Sequence, residues 1–86
     1  MYSFIVSDVL DRKLKKLVKK NRKQYDIIMK KTKGIMVNPH HYKNLRYPLQ
    51  HLKRLRIDKH FVLLFSVDEK NKRITLEDYD HHDKIY

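Results

Sequence analysis

The chain has 86 residues, enough for one domain with a modest core, and 41% of them are hydrophobic. It carries 21 Lys and Arg residues against 10 Asp and Glu residues, and this formal net charge of +11 favours a polyanionic partner. The absence of cysteine excludes disulfide and thiolate chemistry, and the longest apolar run, residues 61–65, is too short to span a bilayer. No signal peptide is recognisable at the N-terminus, so we expect a soluble protein of the cytoplasm.

The first half of the chain is predicted to form a strand followed by a helical hairpin. Residues 2–6 are aromatic and β-branched, as in a short strand, and Asp8 is predicted to cap the helix that follows. The helical spacing of apolar residues then predicts one helix that ends at Asn21 and a second that ends at Asn38 and Pro39.

The second half is predicted to form an antiparallel meander. Residues 40–49 are expected to form a loop, and strands are predicted over 52–57, 61–67 and 73–79, with the central one apolar on both faces. The order β-α-α-β-β-β predicts an α+β fold in which the helical hairpin packs on one face of a small antiparallel sheet. Residues 80–86 are expected to form a short tail.

The opposite face of this sheet is predicted to be open and basic. Of the 21 Lys and Arg residues, 17 lie between Arg12 and Lys59, a stretch with only two acids, Asp26 and Asp58. The alternation places on this face the side chains of Arg54, Arg56, Thr75, Glu77 and Tyr79, beside the apolar central strand. Such a groove suits single-stranded RNA or an amphipathic partner helix, although solvated edge arginines are the simpler explanation of the same pattern.

Two segments near the C-terminus carry a distinctive pattern. Residues 52–68 form a basic strand, a turn and an aromatic-apolar strand with an acidic hairpin, and residues 80–86 contain a His pair, an acid and a terminal Tyr. Both segments resemble the RelE/ParE toxin superfamily, closest to the YoeB/Txe-like and archaeal RelE branch. Together with the element order, the resemblance covers nearly the whole chain. It implies a single RelE-like toxin domain over residues 1–86.

The resemblance further implies a metal-free, ribosome-dependent mRNA endonuclease that inhibits translation, in which the ribose 2′-OH attacks the adjacent phosphate. It implies an acidic RelB/YefM-like antitoxin as the partner that holds the toxin inactive, beside the ribosome and mRNA. The implied catalytic residues are Arg56, His81, His82 and Tyr86. The implied phosphate-binding residues are Lys53, Arg54, Lys59 and Lys84. We expect the antitoxin to contact Val62 and Leu64.

The sequence departs from the family pattern at one position. Val62 stands where the family usually has an arginine near the start of its central strand. Because a cation at that position would stabilise the phosphorane, Lys59, His60 or Arg54 is expected to replace it in an active enzyme. A ParE-like toxin that inhibits gyrase and a catalytically silent RNA-binding relative are the two alternatives.

No cofactor or metal site is expected. His81, His82 and Asp83 are metal-ligating residue types, but adjacent histidines on an extended segment point to opposite sides. No second cluster has the spacing of metal ligands, and His40 and His41 are expected to be loop residues.

Overall fold

A computed structural model describes residues 2–85, with only the backbone of Ile85. The chain forms β1 (Ser3–Val6), α1 (Asp8–Lys20), α2 (Arg22–Val37), a 3-10 turn (Pro39–His41), β2 (Lys53–Arg56), β3 (Phe61–Asp68), β4 (Arg73–His81) and the single turn α3 (His82–Ile85). The predicted order β-α-α-β-β-β is confirmed for β1, α1, α2, β2, β3 and β4. Within residues 2–85, no helix is long and apolar enough to cross a membrane.

Two short polar side chains set the boundaries of the helical hairpin. The hydroxyl of Ser7, and not the predicted Asp8, caps α1: it accepts a hydrogen bond from the Leu10 amide at 3.1 Å and donates one to the Glu77 carbonyl. Asn21 serves both helices, since its amide donates to the Leu17 carbonyl and its side chain accepts from the Gln24 amide. These bonds fix the tight connection between α1 and α2.

The four strands form one sheet in the order β1-β4-β3-β2. The pairs β2–β3 and β3–β4 are antiparallel as predicted, but β1 pairs in parallel with β4, so the sheet is mixed and not wholly antiparallel. The chain reaches the parallel partner through the whole helical hairpin and the meander, which is the long connection that parallel pairing requires. The α+β class is confirmed.

The helical hairpin covers one face of the sheet. Its contribution to the core includes Leu10, Leu14, Ile28 and Ile35. Strands β3 and β4 contribute Leu63, Phe65, Ile74, Leu76 and Tyr79 to the same cluster, and Ile57 joins them from the position just after β2. Val62 and Leu64 are buried but do not belong to it, because they point to the other face of the sheet.

A bulge in the β3–β4 ladder reverses the predicted faces in the second half of β4, whereas Ile74 and Leu76 point into the core as predicted. The register shifts between Leu64 and Phe65, so that Leu64 pairs with Asp78 whereas Phe65 pairs with Leu76. Because side chains alternate along a strand, this shift turns Tyr79 into the core, where it is 8% exposed, and the prediction that it lies on the open face is wrong.

At the end of the molecule where β1 begins, the carboxylate of Glu69 holds several segments together. It accepts hydrogen bonds from the Tyr2 hydroxyl at 2.8 Å, from His40 Nε2 at 2.8 Å and from the Lys72 ammonium group. These bonds, that from Lys72 most of all, lower the pKa of Glu69 to about 2. The ionised carboxylate therefore links the N-terminal segment, the 3-10 turn and the β3–β4 hairpin.

We expect Glu69→Gln to lower the unfolding temperature at pH 7 but not near pH 2. A lowered folded-state pKa stabilises the fold above the unfolded value of about 4.5, and this contribution disappears as the pH falls toward 2. Thermal unfolding followed by circular dichroism at both pH values measures the difference. Asp26→Asn, which removes an exposed ion pair on α2, is the control and should cost less at pH 7. If Glu69→Gln lowered the unfolding temperature equally at both pH values, this explanation would be wrong.

Candidate functional site

A cleft of about 290 Å³ lies on the open side of β2 and β3. Its lining comes from the segment after the 3-10 turn, from β2, from the turn between β2 and β3, from the start of β3 and from α3. The lining residues are His41, Tyr42, Lys43, Arg54, Arg56, Asp58, Lys59, His60, Phe61, Val62 and His82. Four of them are Lys or Arg, and Asp58 is the single acid.

The β2–β3 register explains why arginines and an apolar floor meet here. Arg56 pairs with Val62 and Arg54 pairs with Leu64, so all four side chains point to the open face. Val62 and Leu64 are only 5% and 6% exposed, whereas both arginines are exposed. The cations therefore stand beside an almost buried apolar floor.

The side chain of Asp58 fixes the turn that closes the cleft. One carboxylate oxygen accepts hydrogen bonds from the His60 and Phe61 amides, at 2.8 and 2.9 Å, and the other accepts one from the Gln24 side chain at 3.0 Å. Partial burial opposes ionisation, but these hydrogen bonds outweigh it and hold the pKa of Asp58 below its ordinary value. The carboxylate is thus committed to donors from the turn and from α2.

The same turn brings the C-terminal histidines to the cleft. The His82 amide donates to the His60 carbonyl at 2.7 Å, where β4 ends and α3 begins. The His81 ring stacks between the rings of His60 and His82, with centroid distances of 5.5 and 5.2 Å, and also contacts the edge of Phe61. His82 therefore lines the cleft, and His81 supports it from the side.

The structure brings together six of the residues singled out from the sequence: Arg54, Arg56, Lys59, His60, Val62 and His82. Leu64 lies next to them on the same face, but little of its side chain is exposed. Lys84 lies on α3 and is exposed, outside the lining of the cleft. Tyr86 lies outside the described residues.

Lys53 does not reach the cleft. It points to the face opposite Arg54, and its ammonium group donates to the Tyr42 carbonyl at 3.0 Å and to the Asn44 side chain at 2.9 Å. Both bonds hold the preceding loop against β2, which indicates a structural contribution for this lysine.

Sequence reasoning missed His41 and Lys43 as residues of the cleft. The predicted loop runs back along the edge of β2: the Arg54 amide donates to the Lys43 carbonyl, and Asn44 forms an isolated bridge with Lys53. No periodic pattern marks this pairing in the sequence. The only local signal is the basic character of the segment.

The expectation that His81 and His82 point apart is also wrong. It assumed an extended tail, whereas the chain turns into α3 at His82. As a result, His81, His82 and Asp83 offer ligand atoms that lie within 4.8 Å of one another.

We expect Asp58→Ala to destabilise the protein by about 1–3 kcal/mol and to loosen the cleft, because it removes three hydrogen bonds that are each worth about 0.5–1.5 kcal/mol. Asp58→Asn keeps one acceptor oxygen for the turn amides and should cost less. Urea unfolding measures the stability, and hydrogen exchange of the His82 amide measures the looseness of the turn. If the His82 amide exchanged at an unchanged rate in Asp58→Ala, the position of His82 would not depend on Asp58.

Comparison with known proteins supports the observed fold and identifies the family. No protein-family model matches the chain. One chain of the RelBE2 toxin–antitoxin complex of Mycobacterium tuberculosis superposes with a TM-score of 0.80 at 20% identity, over 93% of this chain and 96% of that one. One chain of the YoeB–YefM complex of Staphylococcus aureus gives 0.81 at 20% identity, over 95% and 98%.

A curated relative in Methanocaldococcus jannaschii, named "Putative toxin RelE4", is much closer in sequence. It is 52% identical over 86 residues, which cover 100% of this chain and 92% of the relative. Identity at this level over the whole chain shows common membership, and the chain belongs to the RelE toxins of the RelE/ParE superfamily, with the fold of the YoeB-like members.

Proposed function

We propose that this protein is the toxin of a type II toxin–antitoxin module and cleaves mRNA on the ribosome. The observation that carries the proposal is the presence of Arg54, Arg56 and His82 in one cleft that is rich in cations. Its family membership supports the toxin role. The 1–86 chain would then act as one RelE-like domain.

The cleft offers the groups that phosphodiester cleavage requires. The guanidinium groups of Arg54 and Arg56, with Lys59 at the rim, would hold the scissile phosphate and stabilise the charge that grows on its oxygens. The 2′-oxygen forms a bond to phosphorus while the bond from phosphorus to the 5′-oxygen breaks. The products are a 2′,3′-cyclic phosphate and a 5′-hydroxyl end.

Two proton transfers accompany this step. A base takes the proton of the 2′-OH, and an acid gives a proton to the leaving 5′-oxygen. His82, which lines the cleft, is proposed for one of these roles, and His81 for the other or for orienting it through their stacked rings. Tyr86 stays a proposed stacking partner for an mRNA base, and Lys84 a proposed phosphate contact on the approach to the cleft.

The substitution of Val62 for the family arginine is compatible with this chemistry. Val62 lies directly opposite Arg56 across the β2–β3 pair, on the same face. The guanidinium group of Arg56 on β2 therefore lies beside Val62, the position at which the family arginine is missing. We infer that Arg56 takes over the phosphate contact, with Arg54 and Lys59 in support.

Arg56→Ala is expected to lower the cleavage rate by about 10- to 1,000-fold, because it removes a cation that stabilises the transition state. Primer extension on an mRNA translated in vitro, with and without ribosomes, measures cleavage and its position. Arg12→Ala removes an exposed arginine on α1 and is the matched control, with cleavage expected to match the wild type.

Wild-type activity in Arg56→Ala would remove this arginine from the mechanism. Absence of cleavage by the folded wild-type protein, with ribosomes of a compatible host, would overturn the nuclease proposal. It would favour a gyrase-directed or silent relative instead.

The proposed partner is an acidic RelB/YefM-like antitoxin that covers the cleft. The solved complexes reported above pair relatives of the same fold with antitoxins. Charge complementarity with Arg54 and Arg56 would supply most of the attraction, because Val62 and Leu64 expose too little area for a large apolar contact. The two apolar residues would then serve as a shallow floor under the antitoxin.

We expect the product of an adjacent small reading frame to bind this protein and to abolish cleavage. Because the contact is largely ionic, raising the salt concentration and the double substitution of Arg54 and Arg56 by Ala should each weaken binding at least about tenfold. Isothermal titration at 50 and 300 mM NaCl, with the double substitution Arg12→Ala and Lys16→Ala as control, measures the effect. Binding that is insensitive to both changes would place the antitoxin on another surface.

A further inference from the structure

Three side chains at the start of α3 place metal-ligating atoms close together. His82 Nε2 lies 3.0 Å from one carboxylate oxygen of Asp83, and His81 Nδ1 lies 3.5 Å from the other. Two ligands of a tetrahedral Zn²⁺ ion, bound at about 2.0–2.1 Å, stand about 3.3 Å apart, and both contacts are close to this value. One ligand atom from each of the three residues lies within 4.8 Å of the other two.

The ring of His82 is oriented from behind by a backbone carbonyl. Its Nδ1 lies 3.4 Å from the carbonyl oxygen of His60, which also accepts the His82 amide. In the Nδ1–H tautomer the ring donates to this carbonyl and leaves the lone pair of Nε2 on the side of Asp83. A backbone carbonyl behind the ring is the usual outer contact of a metal-binding histidine.

The ring of His81 also presents a lone pair to this point. Its Nδ1 accepts a long hydrogen bond, 3.3 Å, from the backbone amide of Asp83. A metal ion would take over that lone pair at the loss of one weak bond. In these tautomers Nδ1 of His81, Nε2 of His82 and the carboxylate of Asp83 all offer lone pairs, which is the donor set that a metal ion requires.

We propose that His81, His82 and Asp83 bind one divalent transition-metal ion, and that the bound ion inhibits cleavage. Two imidazoles and one carboxylate favour Zn²⁺ and related ions over Mg²⁺ or Ca²⁺, which prefer oxygen ligands. Three protein ligands leave the fourth position to water. The ion would act as an inhibitor and not as a cofactor of cleavage.

The inhibitory part rests on the proposed function. A metal ion on Nε2 occupies the lone pair through which His82 would accept or transfer a proton, so the ring can no longer act as base or acid. It also fixes His81 and Asp83 against His82 and narrows the cleft on this side. Cleavage should therefore fall as the metal site fills.

Metal binding is tested without RNA or ribosomes. Isothermal titration of the full chain, carrying no polyhistidine tag, with ZnCl₂ should show one ion per chain. His82→Gln and Asp83→Asn should each raise the Kd at least about tenfold. His51→Gln removes an exposed histidine from the loop before β2 and is the matched control, with an unchanged Kd. Circular dichroism verifies that each variant is folded.

A lack of stoichiometric binding, or equal affinity in His82→Gln and Asp83→Asn, would overturn the metal site whatever the outcome of the nuclease tests. If Zn²⁺ binds as proposed, the cleavage assay repeated over a Zn²⁺ series should show inhibition that a chelator reverses. Asp83→Asn, which keeps both histidines, should need at least about tenfold more Zn²⁺ for the same inhibition. Equal sensitivity of wild type and Asp83→Asn would overturn inhibition through this site.

Discussion

The carboxylate of Asp58 joins parts of the molecule that are distant in sequence, and the geometry of the cleft depends on it. It closes the turn after β2 by accepting two backbone amides, and it is anchored to α2 through Gln24, whose side chain also donates to the Tyr79 hydroxyl. Because the carbonyl of His60 in this turn accepts the His82 amide, the same carboxylate indirectly positions the C-terminal histidines. The hydrogen bond between Gln24 on α2 and Asp58 in the turn therefore constrains the geometry of the candidate site.

Two acids of β4, Asp78 and Asp80, are paired with a lysine outside the cleft. The ammonium group of Lys13 on α1 contacts Asp78 at 2.7 Å and Asp80 at 3.2 Å, and donates to the Tyr79 carbonyl between them. Burial opposes the charge on Lys13, yet the bonds to both carboxylates raise its pKa and stabilise the ion pairs. Because Lys13, and not Arg54 or Arg56, pairs with these two acids, the cleft keeps the positive electrostatic potential that attracts a polyanion.

The periodic parts of the fold could be predicted from the sequence, and the parts fixed by a single contact could not. The helices could be predicted from apolar spacing such as that of Leu10 and Leu14. Strand β2 could be predicted from the alternation around Arg54 and Arg56. The register shift after Leu64 does not alter the periodicity of the sequence in a recognisable way, so the predicted position of Tyr79 was on the wrong face of the sheet. The parallel pairing of β1, the return of the loop along β2 and the turn at His82 likewise depend on long-range hydrogen bonds that no local pattern records.

One small cleft is proposed to serve RNA, an acidic partner and a metal ion, and its size makes RNA and the acidic partner mutually exclusive. A volume of about 290 Å³ is at the lower end of ligand pockets, so an antitoxin segment over Arg54 and Arg56 would leave no room for a scissile phosphate. A metal ion at His82 would act differently, because it withdraws the proton-transfer group while the arginines stay available. Antitoxin binding would therefore remove RNA affinity and catalysis together, whereas the metal would suppress catalysis more than RNA binding, and this difference separates the two modes of control.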